Sequence, residues 1–303
     1  MLDTLIEMFS YTFLARAVVV GLLVSLCSAL LGVSLVLKRY SMIGDGLSHV
    51  GFGTLAVATA MNAAPLAVSI PIVVLAAFLL LRISENGRIK GDAAIALISA
   101  SSLAIGVVVI SLTTGMNTDV NNYMFGSILA MSSDDVVLSV VLAVVVLDLF
   151  VLFYNKIFAV TFDEGFAKAT GVKTGLYNML IAFLTAITIV LGMRMMGALL
   201  ISSLIIFPAL TSMRLCKDFK SVTLCSAAVS VVCFLVGVMV SYVGFPVLQG
   251  QQVIMKSLPT GASVVLVNLA AFLLFWAVHF IPWAKLKEAL HRIVAERGDR
   301  PGR

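Results

Sequence analysis

Long uninterrupted apolar runs dominate the chain, and short polar segments separate them. About nine runs approach the roughly 20 residues with which an α-helix crosses the hydrocarbon of a bilayer. They cover residues 13–37, 42–62, 65–82, 93–113, 136–155, 175–193, 195–213, 221–243 and 262–283. Strict alternation of apolar and polar residues, typical of membrane β-barrels, is absent from the sequence. The pattern predicts an all-α, polytopic membrane protein with about nine transmembrane helices, and eight to ten are compatible with it.

Composition supports this prediction and limits what the chain can do alone. Of 303 residues, 61% are hydrophobic and only 12% are charged, which is too apolar for a soluble domain. We expect residues 1–303 to form one transmembrane domain with its membrane region at 13–283. Gly171-Val-Lys-Thr174 lacks the upstream glycine and the Gly-Lys pair of a phosphate-binding loop. ATP hydrolysis would need another chain, so we predict a protein that is not an enzyme and holds no permanent cofactor.

The basic residues segregate to one side of the predicted helices. Of the 20 Lys and Arg residues, only Arg16, Arg194 and Lys256 fall outside that side. Because Lys and Arg are enriched in cytoplasmic loops, we expect the N-terminus outside and the C-terminus in the cytoplasm. The basic tail at 284–303 could form an amphipathic helix on anionic lipid, or serve only as an inner anchor. The net charge of +5 follows from this asymmetry and does not indicate nucleic acid.

The second predicted span contains two ionisable groups one helical turn apart. They are Asp45 and His49 in the segment Lys38-Arg-Tyr-Ser-Met-Ile-Gly-Asp-Gly-Leu-Ser-His49. Such groups cost about 2.5–3.5 kcal/mol each at bilayer depth, and they usually mark a pathway or a ligand site. Helical periodicity places Ser48 and Phe52 on the same face. Glycines at 44 and 51 on one flank, and at 46 and 53 on the other, would let neighbouring helices pack closely and leave the polar stripe facing a cavity.

This pair of side chains suits a transition-metal ion in transit. Carboxylate oxygen and neutral imidazole nitrogen are ligands for Zn²⁺, Mn²⁺ or Fe²⁺. Two ligands do not fill a coordination shell, so water, other residues or the same pair from a second subunit would complete it. Incomplete coordination also lets an ion leave, as transport requires. A buried Asp–His hydrogen bond that stabilises helix packing is the alternative.

Residues 161–174 form an amphipathic segment on the predicted inner side. Asp163 could cap a short helix there, and Gly171 could end it. With Phe162 and Phe166 exposed, such a helix would be a docking element. An ordinary solvated loop is the alternative.

Several isolated residues have weaker indications. Asp148 could pair across helices or line the path, and a supporting structural role is favoured. Pro208 is expected to break the seventh span and free backbone carbonyls. His279, near Trp283, is expected to anchor the chain at the interface.

Sulfur-containing side chains are read chiefly as apolar filling. The cysteines form no Cys-x-x-Cys motif, so a soft-metal site is the lesser alternative. The methionines flanking Arg194 could meet a soft ion such as Cu⁺, but packing in a tight hairpin is favoured. These residues are Cys27, Cys216, Cys225, Cys233, Met193, Met195 and Met196.

Taken together, these features resemble the integral-membrane permease of metal-ion ABC transporters, the zinc, manganese and iron uptake family. The most specific match is the segment 38–49, which is similar to the family's basic pair followed by Ser-x-Ile-Gly-Asp-x-Leu-Ser-His. Weaker matches are Tyr123-Met-Phe-Gly-Ser-Ile-Leu129, residues 162–171, Gly197-Ala-Leu-Leu-Ile-Ser-Ser-Leu-Ile-Ile-Phe-Pro208 and Leu258-Pro-Thr-Gly-Ala-Ser263. Residues 244–256 depart from the family pattern, because the usual outer connection there is shorter.

The resemblance implies roles that the residues alone do not establish. Asp45 and His49 would coordinate the transported ion, and two copies of the permease would work together in the plasma membrane of a prokaryote. Cytoplasmic ABC ATPases and an extracellular solute-binding protein would be partners. The segment after residue 161 would be a coupling helix seated in a cleft of the ATPase, through Phe162, Asp163, Glu164, Phe166, Ala167 and Gly171.

Two other functions use the same residues. In a secondary carrier, Asp45 and His49 would carry protons, and no partner ATPase would be needed. In an intramembrane aspartyl hydrolase, Asp45 would need a second carboxylate sharing its proton. Asp148 lacks a supporting motif, and Gly-x-Gly-Asp is absent.

Overall fold

Eleven helices and one β-hairpin make up the described part of the chain, which is residues 12–85, 91–113, 133–249, 252–256 and 258–280 of a computed structural model. The helices are α1 (Thr12–Leu37), α2 (Ile43–Ala60), α3 (Pro65–Glu85), α4 (Gly91–Thr113), α5 (Ser133–Leu152), α6 (Tyr154–Phe162), α7 (Glu164–Ala169), α8 (Thr174–Met196), α9 (Ala198–Leu215), α10 (Phe219–Val243) and α11 (Thr260–Phe280). The strands are β1 (Phe245–Gln249) and β2 (Gln252–Lys256). The predicted basic tail at 284–303 and the weaker match at 123–129 lie outside the described residues.

Eight of these helices are long and apolar enough to cross a membrane, namely all except α2, α6 and α7. Each coincides with a predicted span, which confirms the all-α membrane fold. The ninth predicted span is α2, an 18-residue helix whose polar residues and glycines lower its hydropathy. Most of α2 is buried, and it packs against α3, α4, α8 and α9. Other helices therefore shield most of its polar surface from lipid.

The hairpin is an element that the sequence analysis did not predict. Strands β1 and β2 pair antiparallel from Phe245 opposite Lys256 to Gln249 opposite Gln252. They occupy the stretch that departs from the family pattern. Two residues, the first a glycine, separate the strands in the sequence, and such a spacing between Val- and Ile-containing runs is typical of a hairpin. This local signal was available but was masked by the surrounding helical pattern.

The predicted span at 136–155 is too long at its C-terminal end. Helix α5 ends at Leu152, and the separate helix α6 begins at Tyr154. The Tyr154 ring lies 5.6 Å from the ring of Phe219 at the start of α10. Because this aromatic contact is tertiary, the apolar run alone did not reveal the break.

Pro208 does not break its helix, so that prediction is wrong. Helix α9 continues from Ala198 to Leu215 with the buried Pro208 inside it. Proline has no backbone N–H, so the carbonyl of Leu204 lacks its usual helical donor. Membrane helices tolerate such a proline where neighbouring elements compensate.

Helix α1 lies at the centre of the bundle, in contact with α5, α8, α9 and α10. Its approach to α9 is so close that a Cβ placed on Gly32 would lie 2.1 Å from the Ile205 carbonyl oxygen. Backbone cannot yield as a flexible side-chain end can. Gly32 is therefore required for the contact between these two helices.

We expect Gly32→Ala to destabilise the folded protein by roughly 1–3 kcal/mol, because the added methyl group overpacks a helix crossing. Thermal unfolding of the purified protein in detergent would measure this. Gly175→Ala is the matched control, since a Cβ at Gly175 would meet no atom within 4 Å. Equal unfolding midpoints for the two variants would contradict the assigned packing.

Candidate metal site and coupling segment

Asp45 and His49 meet on one side of α2, as the sequence predicted. His49 Nε2 lies 3.7 Å from Asp45 Oδ2. In the single protomer the Asp45 side chain is 42% exposed and the His49 side chain 20% exposed. Helical rise places His49 roughly 9 Å from Ile43, within the first half of α2. The two ionisable groups therefore lie together on a face that the protomer's own helices leave open.

The separation of the two side chains suits a shared ion better than a direct bond. At 3.7 Å, the pair is longer than a normal N–H···O hydrogen bond, so the structure does not form the predicted packing alternative. Nitrogen and oxygen ligands bind Zn²⁺ at about 2.0–2.2 Å, so two ligands of one ion can lie up to roughly 4.2 Å apart. Among the residues that the structure describes, no group of three or more His, Cys, Asp or Glu side chains could hold a metal ion. Asp45 and His49 alone are thus too few to fill a coordination shell.

Glycines hold α2 close to its neighbours on both flanks of this pair. On one flank, a Cβ at Gly51 would lie 2.6 Å from Met193 Cε of α8. On the other, a Cβ at Gly53 would lie 2.6 Å from the Ser102 carbonyl oxygen of α4. The glycines at 44 and 46 make similarly close contacts with α9 and α4. The predicted close packing on both sides of α2 is confirmed.

Not every residue of the predicted polar stripe remains open. Phe52 is 1% exposed and Ser48 is fully buried. The Ser48 hydroxyl donates to the Asp45 backbone carbonyl at 2.7 Å, so it supports the helix rather than facing an ion. From α9, the Ser202 hydroxyl lies 3.5 Å from Asp45 Oδ1 and also donates to the Ala198 carbonyl. Sequence reasoning did not single out Ser202, although it lies within the quoted motif 197–208.

The helix predicted within residues 161–174 is present as α7. Asp163 is extended at the N-cap, and its carboxylate accepts a 2.8 Å hydrogen bond from the Phe166 backbone N–H. At the other end, Gly171 has φ +86, in the left-handed region that favours glycine. Asp163 and Gly171 thus begin and end this helix as predicted.

The residues proposed to contact an ATPase differ in accessibility. Phe162 is 59% exposed and Phe166 is 67% exposed, so both can meet a partner. Phe162 also packs on Phe158, with ring centroids 5.0 Å apart. Ala167 is fully buried, because it packs α7 against the bundle, and it cannot face a partner in this structure.

Glu164, the first residue of α7, points towards the bundle. Its carboxylate lies 3.4 Å from Lys38 Nζ and accepts a 2.9 Å hydrogen bond from Asn178 Nδ2. Lys38 Nζ also donates to Asn178 Oδ1. Sequence reasoning counted Lys38 as a topology signal and as part of the family's basic pair, and it missed Asn178. The meeting of these side chains depends on three segments distant in sequence.

The remaining candidates whose side chains the structure describes do not join the site. Asp148 is exposed on α5. This exposure does not support the prediction that it pairs across helices within the protomer. Met193 and Met196 are buried apolar filling, as predicted. Cys27 and Cys233 are buried, whereas Cys216 and Cys225 are only partly buried. The side chains of Met195 and His279 lie outside the described residues.

Comparison with known families decides the identity of this bundle. The model of the ABC 3 transport family matches residues 10–279. The chain belongs to the ABC 3 transport family. Its resemblance to the permeases of metal-ion ABC transporters is thereby confirmed. Such proteins are permease subunits and not enzymes, and ATPase activity resides in a separate subunit.

Several relatives have names that agree with this assignment. A Thermotoga maritima protein named "Probable metal transport system membrane protein" is 32% identical over 88% of this chain and 90% of its own length. The manganese import system permease protein ScaB of Streptococcus gordonii is 28% identical over 82% of this chain and 88% of its own. The high-affinity zinc uptake system membrane protein ZnuB of Haemophilus influenzae is 28% identical over 70% of this chain and 81% of its own.

A solved structure has the same architecture. The chain is similar to one in PsaBC from Streptococcus pneumoniae in complex with Fab, with a TM-score of 0.79 and 27% identity. The alignment covers 95% of this chain and 100% of that one. The fold of the ABC 3 chain is thus that of an ABC transporter permease.

We expect Asp163→Ala to loosen α7, because losing an N-cap costs about 1 kcal/mol and the helix has few other internal bonds. Faster amide hydrogen exchange across residues 164–170, beginning with the Phe166 amide, would show this. Asp163→Asn retains a capping oxygen and serves as the control. Unchanged exchange in Asp163→Ala would contradict the assigned cap.

Proposed function

We propose that this protein is the permease of an ATP-driven importer for a divalent transition-metal ion, with Asp45 and His49 as the transient ligands of the ion. The Asp45–His49 geometry carries this proposal. The two side chains are close enough to share one ion, and two ligands are too few to retain it. Family membership favours ATP-driven transport over both the secondary carrier and the aspartyl hydrolase.

A second copy of the chain would complete the site. A carboxylate that is 42% exposed on a membrane protomer would meet lipid if nothing covered it. Ionisable residues in membrane spans almost always face a bundle interior or a water-filled cavity. Two protomers facing each other would enclose both Asp45–His49 pairs, and these could supply four ligands to one ion.

The proposed protein partners would bind at the two ends of the bundle. Phe162 and Phe166 on and beside α7 would contact a cytoplasmic ABC ATPase, whose cycle would alternate access to the path. An extracellular solute-binding protein would deliver the ion at the opposite end, and lipid would surround the remaining surface. No nucleic acid partner is expected.

The orientation is proposed from charge. The Lys38–Glu164 contact places the basic connector after α1 at the same end of the bundle as α7. Since basic segments stay in the cytoplasm, that end would face the cytoplasm, with the N-terminus outside and the C-terminus inside. The chain would lie in the plasma membrane of a prokaryote.

The ion is proposed as a class and not as one metal. Relatives are named for manganese and for zinc. Carboxylate oxygen and imidazole nitrogen bind Zn²⁺, Mn²⁺ and Fe²⁺ alike, so these two ligands do not select among them.

Asp45→Ala and His49→Ala are each expected to lower metal uptake by the assembled transporter by at least about tenfold, because each removes a ligand. Uptake of Zn²⁺, Mn²⁺ and Fe²⁺ into proteoliposomes would measure the loss. Asp92→Ala, which removes an exposed carboxylate from the first turn of α4, is the matched control. Normal uptake by correctly assembled Asp45→Ala or His49→Ala protein would sink the proposal.

Ion retention by the complex should weaken on acidification. Because only deprotonated imidazole binds a metal, protons compete with the ion as the pH is lowered from about 8 to about 5. Equilibrium binding of Zn²⁺ to the purified complex across this range would test it, with His49→Ala as the variant expected to lose most of the dependence. Identical affinities for the unsubstituted complex at both ends of the range would argue against His49 as a ligand.

A further inference from the structure

The side chain of Lys38 is a buried cation at the inner end of α1. It is only 9% exposed. A buried ammonium needs charged or polar partners, since desolvation is costly without them. Glu164 Oε2 lies 3.4 Å from Lys38 Nζ, and Asn178 Oδ1 accepts a hydrogen bond from it. Both known partners come from segments more than 120 residues away in sequence.

These three side chains contact one another and join three elements. Asn178, 8% exposed in the first turns of α8, donates from Nδ2 to Glu164 Oε1 at 2.9 Å. Each residue therefore contacts the other two. We call this set the inner triad. The inner triad connects α7, α8 and the connector at 38–42. A displacement of α7 would therefore either move α8 and the connector or break one of these contacts.

The connector leads from the inner triad directly into the helix that carries the proposed ion ligands. Backbone hydrogen bonds from Tyr40 N to Leu35 O at 2.8 Å, and from Ile43 N to Tyr40 O at 2.9 Å, make it a tight turn. Lys38, Asn178 and Ile43 line one small cavity of about 10 Å³. Ile43 begins α2, and Asp45 follows in the same helical turn. A short, hydrogen-bonded segment thus joins Lys38 to the helical turn that carries Asp45.

We propose that the inner triad is a positioning unit that transmits movement of α7 to the start of α2, and that Glu164 acts through it rather than by contacting an ATPase. This inference rests on the proposed function, in which α7 is the ATPase contact. The exposed Phe162 and Phe166 bind the ATPase, and Glu164 passes the displacement on. Lys38, Glu164 and Asn178 are positioning residues that do not touch the ion.

The test is the number of ions transported per ATP hydrolysed by the complete transporter in proteoliposomes, with Zn²⁺ and Mn²⁺ as probes. Lys38→Met removes the charge at nearly the same length, and Glu164→Gln is isosteric. Each should lower the ratio of ions to ATP by about fivefold or more, the scale of a typical coupling between two sites. The affinity for the ATPase and the equilibrium binding of Zn²⁺ should stay unchanged. The double variant should be no worse than the more impaired single variant, because both changes break one unit.

Two further variants separate the inference from the function on which it rests. Lys156→Met removes an exposed charge from α6 and should leave the ratio unchanged. Phe166→Ala should weaken binding of the ATPase. One outcome is that Phe166→Ala weakens ATPase binding while the inner-triad variants transport as many ions per ATP as the unsubstituted protein. In that case the inner triad is not a positioning unit, and the proposed function stands. If Phe166→Ala leaves ATPase binding intact and Asp45→Ala transports normally, the proposed function itself fails.

Two other results would also overturn the inference. If Glu164→Gln weakens ATPase binding as much as Phe166→Ala does, Glu164 is an ATPase contact. If the losses in the double variant simply add, Lys38 and Glu164 act separately. If Lys38→Met fails to assemble, the ratio of ions to ATP measured for Glu164→Gln tests the inference. The Glu164 side chain is 47% exposed and glutamine has the same shape, so this variant is expected to assemble.

Discussion

Ionisable side chains within a membrane protein must be kept away from lipid, and the arrangement of this bundle follows from that constraint. Asp45 and His49 lie on a helix too polar to count among the apolar spans, and four other helices pack against it. In the first half of this helix, the face that carries the two groups stays open. The constraint therefore explains why α2 is interior, and it supports the proposed second chain as the cover for what remains.

Close packing meets this constraint in a lipid environment. Without a strong hydrophobic force between helices, association depends on van der Waals contact, and small residues allow backbones to approach. At Gly51 and Gly53, α2 approaches α8 and α4 so closely that a methyl group would collide. The same device at Gly32 brings α1 against α9. Bulky side chains at these sites would push the helices apart and open the polar stripe to lipid.

At the end of the bundle that carries α7, polar contacts join segments that are far apart in the sequence. There, α7 is capped by Asp163, ended near Gly171 and joined through Glu164 to Lys38 and Asn178. Phe166 is exposed on the outer surface of α7, while Ala167 packs inward. A short helix with one face held by the bundle and the other exposed is suited to passing a displacement between subunits.

The sequence by itself determined the membrane class, eight apolar spans, the α2 helix and the approach of Asp45 to His49. These follow from local pattern, because helical periodicity places residues four apart on one face. The caps of α7 were predictable for the same reason. Only the tertiary structure decided that Phe52 is buried, that α9 continues through Pro208, that α6 separates from α5, and that Lys38, Glu164 and Asn178 meet. Each of these depends on contacts between segments far apart in the chain, which local periodicity does not encode.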